Sequence, residues 1–144
     1  LSSQLGLDMA EALPKKLDTI GVSPKGDLLL VEVKDAHGDI SRAVTQAAAH
    51  VARFTQLLEG GLATRAQRML EQKRRVGLLP AGSPEVARAP RVIPWVAAPD
   101  EDPDWAERWT HETKALRGRL SSLLHALRWV RLTEHGDVLE IRVP

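Results

Sequence analysis

Two carboxylates and one ammonium fall at the ends of two neighbouring apolar runs, a pattern that can hold a metal ion. Asp18 lies at the start of the first run, and Glu32 and Lys34 end the second. If the two runs pair as a hairpin of strands, these three side chains meet at its open end. Facing carboxylates repel each other by about 0.2–1 kcal/mol, and a divalent cation between them removes that penalty. We therefore interpret the three residues as a metal site.

The register of the hairpin follows from its turn. The five residues between the runs, Ser23–Asp27, include Ser, Pro, Gly and Asp, which favour turns. If they close the hairpin without a bulge, the predicted pairs are Val22–Leu28, Ile20–Leu30 and Asp18–Glu32. Paired residues share a face of the sheet, and so do alternate residues along one strand. This register predicts that the three charged side chains converge.

An ion cluster on the surface is the alternative interpretation of the same three residues. It leaves unexplained why the run from Leu28 to Val33 is almost continuously apolar, as in a strand that is covered on both faces. Charges at the end of a buried strand are costly unless they have a function. The metal site accounts for both features.

The order of these residues resembles the PD-(D/E)XK nuclease superfamily, most closely its RecB-like and NucS-like branches. The resemblance rests on Asp18, on Glu32-Val33-Lys34 ending an apolar strand, and on a following helix with Gln46. It covers residues 17–54. Two features depart from the family pattern. The Pro of the family name directly precedes the Asp, whereas three residues separate Pro14 from Asp18 here. His50 stands where the Gln-x-x-x-Tyr variant has Tyr.

The resemblance implies an α/β fold with a mixed central sheet flanked by helices, the restriction-endonuclease-like core. It also implies metal-dependent hydrolysis of phosphodiester bonds in DNA, with Asp18, Glu32 and the main-chain carbonyl of Val33 as metal ligands. Oxygen ligands of this kind suit Mg²⁺ or Mn²⁺ rather than zinc. Lys34 would orient the attacking water or stabilise charge in the transition state, and Gln46 would brace Lys34 or a water on the metal.

A catalytically silent module of the same fold, which binds nucleic acid or protein, is the alternative function. The short chain and the departure at His50 favour it, whereas the presence of all three charged residues argues against it. The resemblance also makes Glu11, on a helix predicted at residues 2–13, a candidate further ligand, although a surface glutamate is the favoured interpretation. Many members of the superfamily act as homodimers or within larger nucleic-acid-processing assemblies, and both partnerships stay open.

Composition bounds the class of protein. The chain has 144 residues, of which 43% are hydrophobic and 27% charged, so we expect one domain over residues 1–144. Because the sequence begins with Leu1 rather than Met, the domain as part of a longer chain stays an alternative. No run reaches the ~20 apolar residues that span a membrane, and the absence of Cys excludes disulfides. We expect a cytoplasmic protein without a membrane partner.

Net charge is only +1 and gives no indication of nucleic-acid binding. The basic segment Arg65–Arg75 holds five cations and one carboxylate, and it could follow phosphates. A solvated helix face explains that segment equally well.

The remaining pattern predicts a helix that Asp39 or Ser41 caps and that ends near Glu59, and further helices over residues 62–76 and 105–127, with Gly118 as a candidate break in the last. It also predicts a loop over 77–90, a strand over 91–98, and a second hairpin around Glu134–Asp137. The first of these helices carries a polar stripe, which consists of Arg42, Gln46, His50 and Arg53. Because Pro94 cannot donate a ladder hydrogen bond, its strand is predicted at a sheet edge or with a bulge.

Overall fold

The fold is taken from a computed structural model. It describes residues 17–34, 40–99, 127–133 and 138–142, together with four helical positions, Glu107, Thr110, His111 and Lys114. The helix predicted over residues 2–13, with Glu11, lies outside the described residues, as do the loop over 35–39 and most of the helix predicted over 105–127. Within the described part, no helix is both long and apolar enough to cross a membrane.

In the described residues, five strands form one mixed sheet in chain order: β1 (Thr19–Val22), β2 (Leu28–Val33), β3 (Val92–Pro99), β4 (Arg128–Leu132) and β5 (Val138–Arg142). The outer pairs, β1–β2 and β4–β5, are antiparallel, whereas β2–β3 and β3–β4 are parallel. Two helices, α1 (Ile40–Glu59) and α2 (Leu62–Arg75), connect β2 to β3. The prediction of an α/β fold with a mixed sheet is confirmed.

The first hairpin has the predicted register. Val22 pairs with Leu28 and Ile20 with Leu30. The ladder ends at the pair Thr19–Val31, so Asp18 lies in a bend immediately before β1. The strands of the second predicted hairpin, β4 and β5, also pair, with an irregularity in register at Arg131 and Leu132, and its turn at residues 134–137 lies outside the described residues.

Helix α1 packs on β2 and β3 and closes the core over one face of the sheet. Its buried side consists of small residues, Ala43, Val44, Ala47, Ala48 and Ala49, which lets the helix backbone approach the sheet closely. The facing strand positions are Leu28, Leu30 and Val96, all fully buried. Because α1 lies so near the strands, polar side chains on its flank can reach the end of β2.

The strand with Pro94 is the central strand of the sheet, so the prediction of an edge position or a bulge is wrong. The main-chain oxygens of Arg91 and Ala97 accept hydrogen bonds from β2. Since successive residues of a strand direct their main-chain groups to opposite sides, Pro94 faces β4. The pairing of β3 with β4 begins only at Trp95. Pro94 therefore lies before the first pair of β3 with β4, and its missing N–H removes no hydrogen bond between the described residues of these strands.

The turn of the first hairpin is fixed by contact with a distant loop. Ser23 Oγ accepts from the N–H of Asp27, and the N–H of Gly26 donates to the Ser23 carbonyl. Gly26 has φ +83°, and its carbonyl accepts from the N–H of Ala87 at 2.9 Å. A Cβ on Gly26 would lie 2.6 Å from that same nitrogen. Both the left-handed conformation and the close approach require glycine here.

We predict that Gly26→Ala destabilises the protein more than Gly61→Ala does. Both glycines have φ near +84°, so both substitutions carry the roughly 1–2 kcal/mol cost of a left-handed alanine. Gly61 has no atom within 4 Å of its added Cβ, whereas Gly26 must push the Ala87 backbone away. The excess for Gly26→Ala should be on the order of 1–3 kcal/mol in urea unfolding, as for other overpacked sites. Equal losses would contradict the close approach of the loop.

The carboxylate of Asp27 joins this turn to the start of β3. It accepts from the main-chain N–H of Arg91 at 3.0 Å and from the guanidinium Nη2 at 2.6 Å. The side-chain hydrogen bond from Arg91 holds the pKa of Asp27 below its usual value of 3.8, in spite of the burial that opposes this. Folding therefore favours the ionised form of Asp27.

This lowered pKa predicts a stability contribution that disappears in acid. The contribution is complete above the unfolded pKa of 3.8 and is lost as the pH falls through the lower folded value. Asp27→Asn should reduce the urea midpoint at about pH 7, and the gap to the wild type should be smaller at an acid pH well below 3.8. Glu85→Gln, at an exposed carboxylate, is the control and should show little effect at either pH. A gap that persists in acid would assign the effect of Asp27→Asn to packing.

Candidate functional site

The site lies at the carboxyl end of β2, where β1 begins on one side and α1 passes above. On the β1 side, the N–H of Val33 donates to Asp18 Oδ2 at 2.9 Å. Main-chain N–H and C=O groups of one strand residue point to the same side. The Val33 carbonyl therefore faces the edge at which Asp18 lies, while the Val33 side chain is exposed.

Glu32, Lys34 and Gln46 form one connected group. Lys34 Nζ donates to Glu32 Oε1 at 2.8 Å and to Gln46 Oε1 at 2.7 Å. Since a lysine ammonium cannot accept a hydrogen bond, the amide of Gln46 must present its oxygen. The predicted direction of Gln46 toward Lys34 is confirmed. These two contacts use two of the three ammonium donors and leave one for a water or a phosphate oxygen.

The burial of this group is uneven. The side chain of Glu32 is 5% exposed and that of Lys34 is 18% exposed. Glu32 Oε1 has the lysine as its partner, whereas Oε2 is buried and has no hydrogen-bond partner among the described residues. An ionised oxygen in this position is costly unless a cation or donor meets it.

His50, which the sequence placed in the polar stripe of α1 and at the Tyr position of the Gln-x-x-x-Tyr variant, also belongs to the site. Its side chain is 5% exposed, and its Nε2 lies 3.8 Å from Glu32 Oε2. Within the part that the structure describes, Nε2 has no hydrogen-bond partner. The Phe54 ring lies nearly perpendicular to the imidazole, with centroids 6.5 Å apart. The stripe is therefore not one solvent face, because Arg42 and Arg53 are exposed while His50 is buried.

Burial lowers the pKa of His50, and this effect outweighs the opposite effects of Glu32 and then Asp18. The imidazole is consequently neutral near neutral pH and carries one nitrogen with a free lone pair.

The sequence held one signal that could have identified His50. It follows Gln46 by four residues, and residues at i and i+4 share a helix face. A residue in that position must point in nearly the same direction as Gln46, which was predicted to face Lys34.

The basic segment Arg65–Arg75 forms α2, apart from the site residues. Arg65, Arg68, Lys73 and Arg75 are exposed. Arg74 instead donates to the carbonyls of Ser83 and Pro84 and holds the following loop. Four of the five cations therefore lie on a solvated face.

The described residues contain no group of three or more His, Cys, Asp or Glu side chains that is placed to hold a metal ion. The carboxylates of Asp18 and Glu32 with the Val33 carbonyl remain the predicted oxygen ligands. Comparisons with protein-family models, with curated proteins and with solved structures found no match.

The unequal burial of Glu32 and Lys34 predicts unequal effects of removing them. Without metal, Lys34→Met leaves the Glu32 carboxylate buried beside no cation, and should cost about 1–3 kcal/mol of unfolding free energy. The full cost of about 3–5 kcal/mol for a buried pair is not expected, since Lys34 is partly hydrated. Glu32→Gln removes the buried charge and should change stability by less than about 1 kcal/mol.

The measurement is urea unfolding in EDTA of both single variants and of Glu32→Gln/Lys34→Met. The double variant should recover most of the loss caused by Lys34→Met. If Lys34→Met is as stable as the wild type, Glu32 has another partner in solution and the pair does not stabilise the charge.

Proposed function

We propose that the protein is a metal-dependent nuclease that hydrolyses phosphodiester bonds in DNA, built on a restriction-endonuclease-like core. The observation that supports this most is the contact of Lys34 with both Glu32 and Gln46, because it joins a strand-end E-x-K to a glutamine on the following helix. A surface ion cluster would not need a buried carboxylate or an amide from another element.

The residues fit a Mg²⁺ or Mn²⁺ ion. Glu32 Oε2 is a buried oxygen without a partner in the described part, and the Val33 carbonyl faces the edge at which Asp18 lies. Mg²⁺ is typically bound through one or two carboxylates, with waters and substrate phosphates completing the coordination. Two carboxylates and one carbonyl are therefore a sufficient protein contribution. When bound, the ion supplies Lewis-acid chemistry: it activates a water and offsets charge on the phosphate.

The protein groups have separate tasks in this proposal. Lys34 presents its remaining N–H to the attacking water or to a phosphate oxygen, where negative charge increases in the transition state. Gln46 and Glu32 hold the ammonium in place, so little reorganisation is needed as the reaction proceeds. Gln46 is thus a positioning residue. The exposed cations of α2 offer contacts to DNA phosphates.

A catalytically silent module of the same fold is the second candidate. In favour of it, the described residues include no cluster of three or more metal-binding side chains. Such a module would bind DNA or a protein partner, with or without a metal effect on stability, and would never cut.

The proposal predicts different defects for Lys34→Ala and Asp18→Ala. Lys34→Ala should lose about 10²–10³ in cleavage rate while still binding Mn²⁺, because an ammonium is not a ligand and acts on the transition state. Asp18→Ala should weaken Mn²⁺ binding itself. The measurements are cleavage of a panel of single-stranded, duplex, flap and junction DNAs, and calorimetric titration with Mn²⁺.

Lys25→Ala is the matched control, since this lysine is exposed in the turn at the opposite end of the same hairpin. It should cut and bind Mn²⁺ as the wild type does. Cleavage by Lys34→Ala at the wild-type rate would locate any activity elsewhere. DNA binding by the wild type without cleavage under either metal would favour the silent module.

A further inference from the structure

His50 and Glu32 each place one buried polar atom without a hydrogen-bond partner in the described residues next to the other. Nε2 of His50 and Oε2 of Glu32 are 3.8 Å apart, and neither has a hydrogen-bond partner among the described residues. Both side chains are 5% exposed. Buried polar atoms in folded proteins are nearly always satisfied, so two adjacent exceptions call for a shared ligand.

We propose that His50 is a nitrogen ligand of the metal ion, together with Glu32, and that the site is a mixed nitrogen and oxygen site. This inference rests on the proposed metal site but assigns a ligand outside the oxygen set expected from the E-x-K motif. It places the ion between β2 and α1, rather than at the strand edge alone.

The separation of the two atoms favours an ion over a water. A water that bridges at hydrogen-bond lengths of about 2.8 Å would need an angle of only ~85° at its oxygen. An ion with bonds of about 2.1 Å fits the same separation at an angle of ~130°. The donors would need to approach by only about 0.4 Å for tetrahedral or 0.8 Å for octahedral coordination.

The chemistry of the two groups agrees with this geometry. Lys34 occupies the other oxygen of Glu32 and so directs Oε2 toward His50. The imidazole Nε2 lies on the side of this oxygen and is itself buried. Asp18, which accepts from the Val33 N–H, adds a carboxylate at the same end of β2. Imidazole suits later first-row transition ions best, and of the two ions proposed above only Mn²⁺ belongs to that series, whereas Mg²⁺ prefers oxygen ligands. The site should therefore prefer Mn²⁺ to Mg²⁺.

The test uses Mn²⁺ as the probe and needs no DNA. Electron spin echo envelope modulation of the Mn²⁺-loaded wild type should show coupling to ¹⁴N, which changes to ¹⁵N coupling when the protein is grown with ¹⁵N-labelled histidine. His50→Leu should remove the coupling and weaken Mn²⁺ binding in calorimetry by at least the roughly 10–100-fold that loss of an outer partner of a metal ligand costs. Mg²⁺ binding should change less.

His111→Gln is the matched control, since His111 is an exposed histidine on a helical segment; it should keep both the coupling and the affinity. If His50→Leu fails to fold, the labelled wild type still tests the ligand role of His50, because that role requires histidine coupling. Mn²⁺ binding without histidine coupling would overturn the ligand role of His50 and leave the proposed nuclease intact. Failure of the wild type to bind Mn²⁺ at all would overturn the metal site itself, and the ligand role with it.

Discussion

The structure around β2 is arranged to keep one carboxylate inside the protein. Glu32 lies on the core side of a strand whose neighbouring positions on that face, Leu28 and Leu30, are fully buried. Removing such a charge from water costs several kcal/mol unless other groups compensate. Lys34 compensates one oxygen of Glu32, and the other faces His50. Replacing such a group by apolar residues often leaves stability unchanged or improves it, so its presence is better explained by chemistry than by stability.

The parallel crossover is what brings the other groups to this carboxylate. Antiparallel strands can connect through a short turn, but β2 and β3 are parallel and need a long connection, here α1 and α2. The connection starts at the carboxyl end of β2, so the first turns of α1 necessarily lie near Glu32. The alanines of α1 reduce the distance between helix and sheet, and Gln46 and His50 on its flank then reach the strand end. A larger residue at Ala47 would move both side chains away.

The sequence predicted the local parts of this arrangement and not the tertiary ones. Alternation and the turn residues predicted the hairpin register, because both depend on residues that are close in sequence. The contact of Gln46 with Lys34 came from a family resemblance combined with helix periodicity. The prediction of an edge strand for Pro94 was wrong because it depended only on the missing N–H. It took no account of which neighbouring strand that position faces, or of where the pairing with that strand begins. The burial of His50 was missed because a polar stripe on a helix does not show how far the sheet extends beside it.

The same geometry separates what stabilises the protein from what could react in it. Asp27, at the amino end of β2, has its charge satisfied by Arg91 and links the turn to β3. Glu32, at the carboxyl end, keeps one oxygen without a partner in the described residues. The carboxylates at the two ends of β2 thus differ in whether the fold itself supplies all of their partners. An acid that the fold satisfies only in part is available to a ligand from outside. This difference, together with the E-x-K pattern, makes the carboxyl end of β2 the candidate functional site.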